Sequence, residues 1–337
     1  MPATNHQVRL AARPTGLPTP DVWEHTEEPA GDPGAGEVLV QVLLLSLDPA
    51  MRGWMNEGRS YVPPVKIGAV MRAGGVGRVV ASGDDRFAAG DHVSGVLNAQ
   101  EYALLPGDQL TKVDAGVAPL ATHVGALGIT GMTAYFGLLD VGALKEGDTV
   151  VVSGAAGAVG SIAGQIAKLK GARVVGIAGG PEKCAWLVDE LGFDAAIDYK
   201  AENVRRALRE HAPAGIDVYF DNVGGEILDA ALANLAMHAR VVICGAISQY
   251  NASDGMRGPG NYMSLLVTRS RMEGFVVFDF ADRYAEAGAE LARWIAEGRV
   301  VAREEVVDGG LAAFGDTLLK LFAGENTGKL VLRVAGE

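Results

Sequence analysis

Residues 149–170 read TVVVSGAAGAVGSIAGQIAKLK. The first five, Thr149-Val150-Val151-Val152-Ser153, are a β-branched run that suits a strand. Gly154, Gly157 and Gly160 follow as a GxxGxxG turn filled by alanine and valine, and Ala158 to Leu169 has helical character. With 46 glycines in 337 residues, this spacing arises by chance about once in a chain of such composition, so the glycines alone decide nothing. Their context carries more weight. A strand leads in, the turn residues are small, and a helix begins there with unpaired N–H groups that can receive a pyrophosphate. A tight strand-to-helix turn without a ligand is the other reading of the same residues.

Outward from this turn the rhythm repeats. Arg173-Ala178, Asp217-Phe220 and Arg240-Cys244 read as strands, Ile227-Leu235 as an intervening helix, Met272-Phe278 as a further buried strand, and Arg283-Glu297 as an amphipathic helix. Such alternation predicts βαβ units around a parallel sheet covered on both faces. Upstream, from Val38 to about Leu127, short apolar stretches (Val38-Leu45, Gly75-Val80, His92-Val96, Tyr102-Leu105) are separated by Gly, Pro and Asp. That spacing predicts an all-β barrel or sandwich. Lys329-Val334 reads as a lone strand returning to this first domain, and Asn251-Asn261 as the longest loop of the α/β half.

Composition narrows the function. The formal charge of −12 without a basic block argues against nucleic acid or an anionic membrane as the main partner. No apolar run reaches the eighteen or so residues of a bilayer span, and residues 1–12 lack an apolar signal-peptide core, so a cytoplasmic protein is expected. Cys184 and Cys244 cannot build a disulfide framework. His6, His25, His92, His123, His211 and His238 are scattered, so no metal site is expected.

The end of the second α/β strand bears on the dinucleotide. NAD-binding folds place Asp or Glu there for the ribose 2′-hydroxyl, but this chain runs Ala178-Gly179-Gly180-Pro181-Glu182-Lys183. Lys183 either meets a 2′-phosphate, favouring NADPH, or is a surface lysine on a first helical turn. Asn222, after the fourth strand, either donates to a cofactor oxygen or caps the next helix.

At this point the chain resembles the zinc-independent medium-chain dehydrogenase/reductase family, in particular its prostaglandin reductase, alkenal/one oxidoreductase and curcumin reductase group. The resemblance spans nearly the whole chain. It is carried by Asn5-His6-Gln7, Arg13-Pro14, Ser46-Leu47-Asp48-Pro49 with Met51-Arg52, Gly128-Ile129-Thr130-Gly131-Met132-Thr133-Ala134-Tyr135 and Ala155 to Ser161. Asp221-Asn222-Val223-Gly224-Gly225-Glu226, Cys244 to Asn251, Gly274-Phe275-Val276-Val277 and Asn326-Thr327-Gly328-Lys329 complete it. It implies an α/β architecture: a GroES-like β-barrel catalytic domain (1–127 and 300–337) beside a Rossmann domain with a doubly wound parallel sheet (128–299), the active site in the cleft between them, and a homodimer joined through the Rossmann sheets near Met272-Phe278. It implies NADPH, with the pyrophosphate over Gly157, Ala158, Val159 and Gly160, and Lys183 and Tyr199 beside the 2′-phosphate. Met132, Thr133, Asn222, Cys244, Gly245, Ala246, Ile247, Ser248, Gln249, Tyr250, Phe275, Val276, Val277 and Asn326 line the rest of the channel.

The implied reaction reduces the carbon–carbon double bond of α,β-unsaturated ketones or aldehydes, hydride going to the β-carbon; a quinone reductase or a non-catalytic NADPH-binding protein are the alternatives. Three positions depart from many relatives: Ala50 and Ala99 stand where aromatics are common, and Val267 stands where a tyrosine is often assigned to the nicotinamide ribose or substrate carbonyl. Tyr61, Tyr250 and Tyr262 are the candidate replacements for that hydroxyl, each with a packed aromatic as its other reading. The lost aromatics lead us to expect a roomy pocket that prefers extended enones.

Overall fold

The computed structural model describes residues 3–336; Met1 and Pro2, part of the stretch read for a signal peptide, and Glu337 lie outside them. The chain divides into two compact units, Met1–Gly125 with Glu304–Glu337, and Ala126–Arg303.

The second unit is built on six parallel strands: β1 (Thr149–Ser153), β2 (Arg173–Ala178), β3 (Ala195–Asp198), β4 (Ile216–Asp221), β5 (Leu235–Ile243) and β6 (Arg271–Gly274). Their order is β3-β2-β1-β4-β5-β6. The chain therefore reverses direction across the sheet between β1 and β4, and ligands of doubly wound sheets bind at the carboxyl ends of the strands flanking such a reversal. Both faces of β1 are buried, which explains its unbroken apolar run: Val150 and Val152 join one core with Val174, Phe220 and Val242, while Val151 joins the other with Val175, Ile177 and Tyr219. Helices Ala158–Leu169 and Tyr284–Ala296 supply Ile162, Ile166, Leu291 and Trp294 to the first core, and Val204–His211 and Gly225–Leu232 supply Leu208 and Leu228 to the second.

The segment Met272-Phe278 differs from the expectation of a buried strand. Pairing stops at Gly274, all four residues of β6 are exposed, and Val277–Arg283 turns into a 3₁₀-helix. β6 is the edge of the sheet and has one strand neighbour, so its register buries nothing. The apolar residues beyond it serve packing of a different kind: Phe275 lies against Phe280 at 6.5 Å between ring centroids, and its ring fills the space beside Gly137 that a Cβ there would need.

In the first unit the ten-residue strand Glu37–Ser46 organises the sheet. Gly75–Ser82 pairs along one edge; Tyr102–Pro106 takes the first half of the other edge and Lys329–Arg333 the second half. The expected return of the C-terminal strand is thus observed, with Val331 opposite Ser46. Among the described residues the main path of pairing runs from Glu304–Val307 to Thr111–Lys112 and does not close into a ring. The core of this unit gathers Val38, Val40, Val42, Leu97 and Ala103 with Phe314 and Leu318 of the helix Phe314–Ala323.

Candidate functional site

Backbone geometry builds the turn after β1. Gly154 adopts φ +58°, which favours glycine, and its carbonyl accepts the Gly157 N–H at 3.0 Å. Ala155 N–H donates to Ile177 O at 3.0 Å, pinning the turn to β2. A Cβ on Gly160 would stand 2.3 Å from Gly154 O and 2.9 Å from Ala155 Cα, so only glycine lets the helix press this closely on the turn. Gly157 caps the helix without a side chain, and the first helical bond runs from Ser161 N–H to Gly157 O at 3.0 Å. The N–H groups of Ala158, Val159 and Gly160 precede that bond and remain for an external acceptor. An uncapped N-terminus of this kind fits a pyrophosphate.

The end of β2 has equally specific packing. A Cβ on Gly179 would meet the Tyr199 ring at 2.8 Å and Lys200 Cε at 2.9 Å. The volume where NAD-binding folds carry a carboxylate is therefore filled by an aromatic face and a lysine stem. Asp198 Oδ1, the nearby acid, accepts the N–H groups of Gly180 (2.8 Å) and Lys200 (3.0 Å) and so closes the turn. Lys183 stands half-buried on the first turn of the helix Pro181–Asp189. Sequence reasoning named Lys183 and Tyr199 and passed over Lys200; only the fold brings the tip of β3 across the end of β2.

At the ends of β4 and β5, Asn222 does not cap the following helix. Its Nδ2 donates to Ser153 O at 2.7 Å and its N–H to Ser153 Oγ at 2.9 Å, tying β4 to β1. The following helix is capped by Gly224 at φ +69° with no side-chain bond. The Cys244 to Tyr250 segment leans on this turn: Ile247 N–H donates to Asn222 O, and Ser248 donates through both N–H and Oγ to Val223 O. The Tyr250 hydroxyl folds back to accept the Ala246 N–H at 3.1 Å.

The remaining candidates divide between the units. Met132 is buried in the core of the second unit, and Thr133 Oγ1 donates to Ile129 O at 2.7 Å. Phe275 and Val276 are half-buried and Val277 is buried. Tyr262 is exposed in the long loop, and Val267 is exposed on the short helix Ser264–Thr268. In the first unit, exposed Tyr61 accepts the Trp54 Nε1–H at 3.2 Å, and the Arg72 guanidinium lies 5.5 Å over the Trp54 ring. Asn326 Nδ2 donates to Gly328 O at 2.9 Å. Ala99 is fully buried in the core of the first unit, so the small side chain there alters core packing and opens no pocket.

Neither cysteine is poised as a nucleophile. Burial, then Asp198 and Glu202, pushes the Cys184 thiol up to about 11; burial, then Asp221, pushes Cys244 up to about 12. At pH 8 both should alkylate with iodoacetamide at least about 100-fold more slowly in the folded protein than in the unfolded chain, Cys244 the slower, as mass spectrometry would read. Equal rates would contradict the packing described. Among the described residues no group of three or more His, Cys, Asp or Glu could hold a metal ion.

Comparison with known proteins places these features. Residues 6–113 match the N-terminal domain of oxidoreductase and residues 158–293 match the family described as zinc-binding dehydrogenase. The chain is 43% identical to the NADPH-dependent curcumin reductase of Escherichia coli over 99% of its length and 98% of that protein. It is 41% identical to the NADP(+)-dependent 2-alkenal reductase of Nicotiana tabacum, over 99% and 98% respectively. The structure of CurA from Vibrio vulnificus in complex with NADPH superposes with a TM-score of 0.92 at 42% identity, covering 98% of this chain and all of that one. The chain belongs to the zinc-independent group of the medium-chain dehydrogenase/reductase family, whose members are NADP-dependent oxidoreductases.

Proposed function

We propose that this protein uses NADPH to reduce the carbon–carbon double bond of α,β-unsaturated ketones and aldehydes. The observation that carries the reading is the pairing of an uncapped glycine turn after β1 with a β2 end whose acid position is taken by Tyr199 and Lys200. When bound, NADPH supplies the hydride for the β-carbon. The chain's residues bind and orient: the N–H groups of Ala158 to Gly160 take the pyrophosphate, Lys183 and Tyr199 flank the 2′-phosphate, and Met132, Thr133, Asn222, Cys244 to Tyr250, Phe275 to Val277 and Asn326 line the channel. As the double bond is reduced, negative charge develops on the carbonyl oxygen, and a neutral phenol is a suitable donor to it. Tyr61 and Tyr250 each accept an N–H, which polarises the hydroxyl and strengthens it as a donor; Tyr262 is the third candidate.

The same reading makes the first unit a GroES-like barrel. The domains then span 1–127 with 300–337, and 128–299, in a cytoplasmic homodimer. The open edge of β6, with Leu266, Val267 and Met272 exposed, offers such a dimer its contact.

The test is NADPH oxidation with a panel of enones, quinones and simple ketones, products identified by mass and NMR, with NADH run in parallel. Saturated ketones and a preference for NADPH are expected. Allylic alcohols, or turnover of quinones alone, would overturn the reading. Ala50 and Val267, small where relatives often carry aromatics, are our ground for expecting extended enones; a kcat/KM about tenfold better for small alkenals would sink that preference.

A further inference from the structure

Asp221 closes β4 and is 1% exposed. Its Oδ1 accepts from Ser153 Oγ (2.8 Å), the Tyr219 hydroxyl (3.0 Å), Val223 N–H (3.1 Å) and Gly224 N–H (3.0 Å). Its main-chain carbonyl accepts the N–H groups of Cys244 (2.9 Å) and Gly245 (3.0 Å). Oδ2 is buried without a hydrogen-bond partner. Burial holds this carboxyl above the usual carboxylate range, and the N–H and O–H donors around Oδ1 pull the other way.

These bonds converge on three loops. Ser153 is the residue before Gly154, the first residue of the glycine turn. Val223 and Gly224 form the turn after β4, where Gly224 and Gly225 both take positive φ. That turn in turn holds the segment after β5, through Ile247 N–H to Asn222 O and Ser248 to Val223 O. The fit is close, since a Cβ on Gly225 would lie 2.9 Å from Ser248 Oγ. A core that needed only apolar packing here would not bury a carboxylate with one oxygen unpaired, at a cost that a hydrophobic residue avoids.

We propose that Asp221 is a positioning residue for the cofactor: one buried carboxylate sets the relative places of the glycine turn, the Asn222–Gly225 turn and the Cys244–Ser248 segment. Asp221 touches no reacting atom. It acts through the backbone groups it holds, so its loss weakens cofactor binding while leaving the chemical step nearly intact once the site is saturated. The proposal rests on the NADPH reading above.

The experiment measures NADPH binding directly by fluorescence titration, together with steady-state kinetics on an enone that the wild-type protein reduces, for the full-length protein and Asp221→Ala, Asp221→Asn and Tyr219→Phe. Asp221→Ala is expected to raise Kd and KM for NADPH by about tenfold or more with kcat within about threefold. Asp221→Asn keeps an acceptor oxygen and should recover most of the affinity, and Tyr219→Phe, which removes one of the donors, should give a smaller rise. Should Asp221→Ala not fold, the other two variants decide: both are expected to bind NADPH more weakly than wild type, and wild-type affinity in both would overturn the proposal. Variants with lowered thermal midpoints but wild-type NADPH affinity would show a purely structural carboxylate and overturn the proposal. Failure of the wild-type protein itself to bind NADPH would remove the reading on which the proposal rests, and the unmutated chain alone reports that outcome.

Discussion

Gly160→Ala is expected to weaken NADPH binding by at least about tenfold and to destabilise the protein by about 2–3 kcal/mol. Two effects compete. Alanine favours helix over glycine by about 1 kcal/mol, and Gly160 lies inside the helix Ala158–Leu169. Against this, the new methyl would stand 2.3 Å from Gly154 O and 2.9 Å from Ala155 Cα, both main-chain atoms that cannot rotate aside. The helix must lift off the turn, and overpacking of this kind outweighs the propensity gain. Lifting also moves the N–H groups of Ala158 to Gly160 away from the pyrophosphate that we propose they receive, which would couple the stability loss to cofactor affinity. Gly157→Ala provides the contrast, since its Cβ would approach Gly154 O only to 3.2 Å, a contact that a few tenths of an ångström relieves. Thermal unfolding and NADPH titration of both variants check the argument. An unchanged affinity in Gly160→Ala would mean that the turn does not hold the pyrophosphate.

Lys329→Met should cost the protein about 3 kcal/mol, the usual scale for breaking a buried ion pair by removing one partner. Lys329 is 3% exposed; its Nζ donates to Leu47 O at 2.7 Å and to Asp48 Oδ1 at 2.8 Å, and Ser46 Oγ donates to the same carboxylate. The ammonium therefore fastens the C-terminal strand Lys329–Arg333 to the end of Glu37–Ser46, next to the register Val331 opposite Ser46. Methionine keeps most of the stem's volume and removes the charge, leaving Leu47 O and Asp48 short of a donor. Asp48→Asn should cost less, because the amide oxygen still accepts and Asp48 is partly exposed. The double variant should fall well short of the sum of the two, since each single change damages the same pair. Thermal midpoints of the four proteins measure this; strict additivity would show that the pair does not couple the strands.

Legibility in the sequence followed from how local each requirement is. The turn after β1 announced itself because close backbone approach demands glycine at particular positions, and the βαβ rhythm because a sheet buried on both faces needs continuous apolar runs. Lys183 came from the acid-free end of the second strand, and Tyr199 from the family resemblance. The edge strand was misread because Phe275, Val276, Val277 and Phe278 are apolar in a row, and nothing in a row of side chains tells whether the backbone beneath is paired. The capping alternative for Asn222 fails because, although a polar residue before a helix usually caps it, the side chain here donates to the carbonyl of Ser153, 69 residues earlier. Asp221 and Lys329 carried no signal beyond the motifs around them, since a carboxylate or an ammonium in sequence reads as surface until its partners are known.

The amino-acid sequence by itself determined where strands and helices alternate, the presence of a glycine turn fit for a pyrophosphate, the absence of a carboxylate at the end of β2, and the kinship with a zinc-independent reductase family. The first three are properties of residues within a few positions of one another, and the kinship is a series of such short motifs in order along the chain. Tertiary structure alone decided that Lys200 and Tyr199 fill the space over Gly179, that Asp221 ties three loops at the carboxyl edge, that Lys329 pairs with Asp48, and that Ala99 packs in a core. These contacts join residues far apart along the chain, and burial, which sets the energy of a charge or a hydroxyl, exists only once the chain has folded around it.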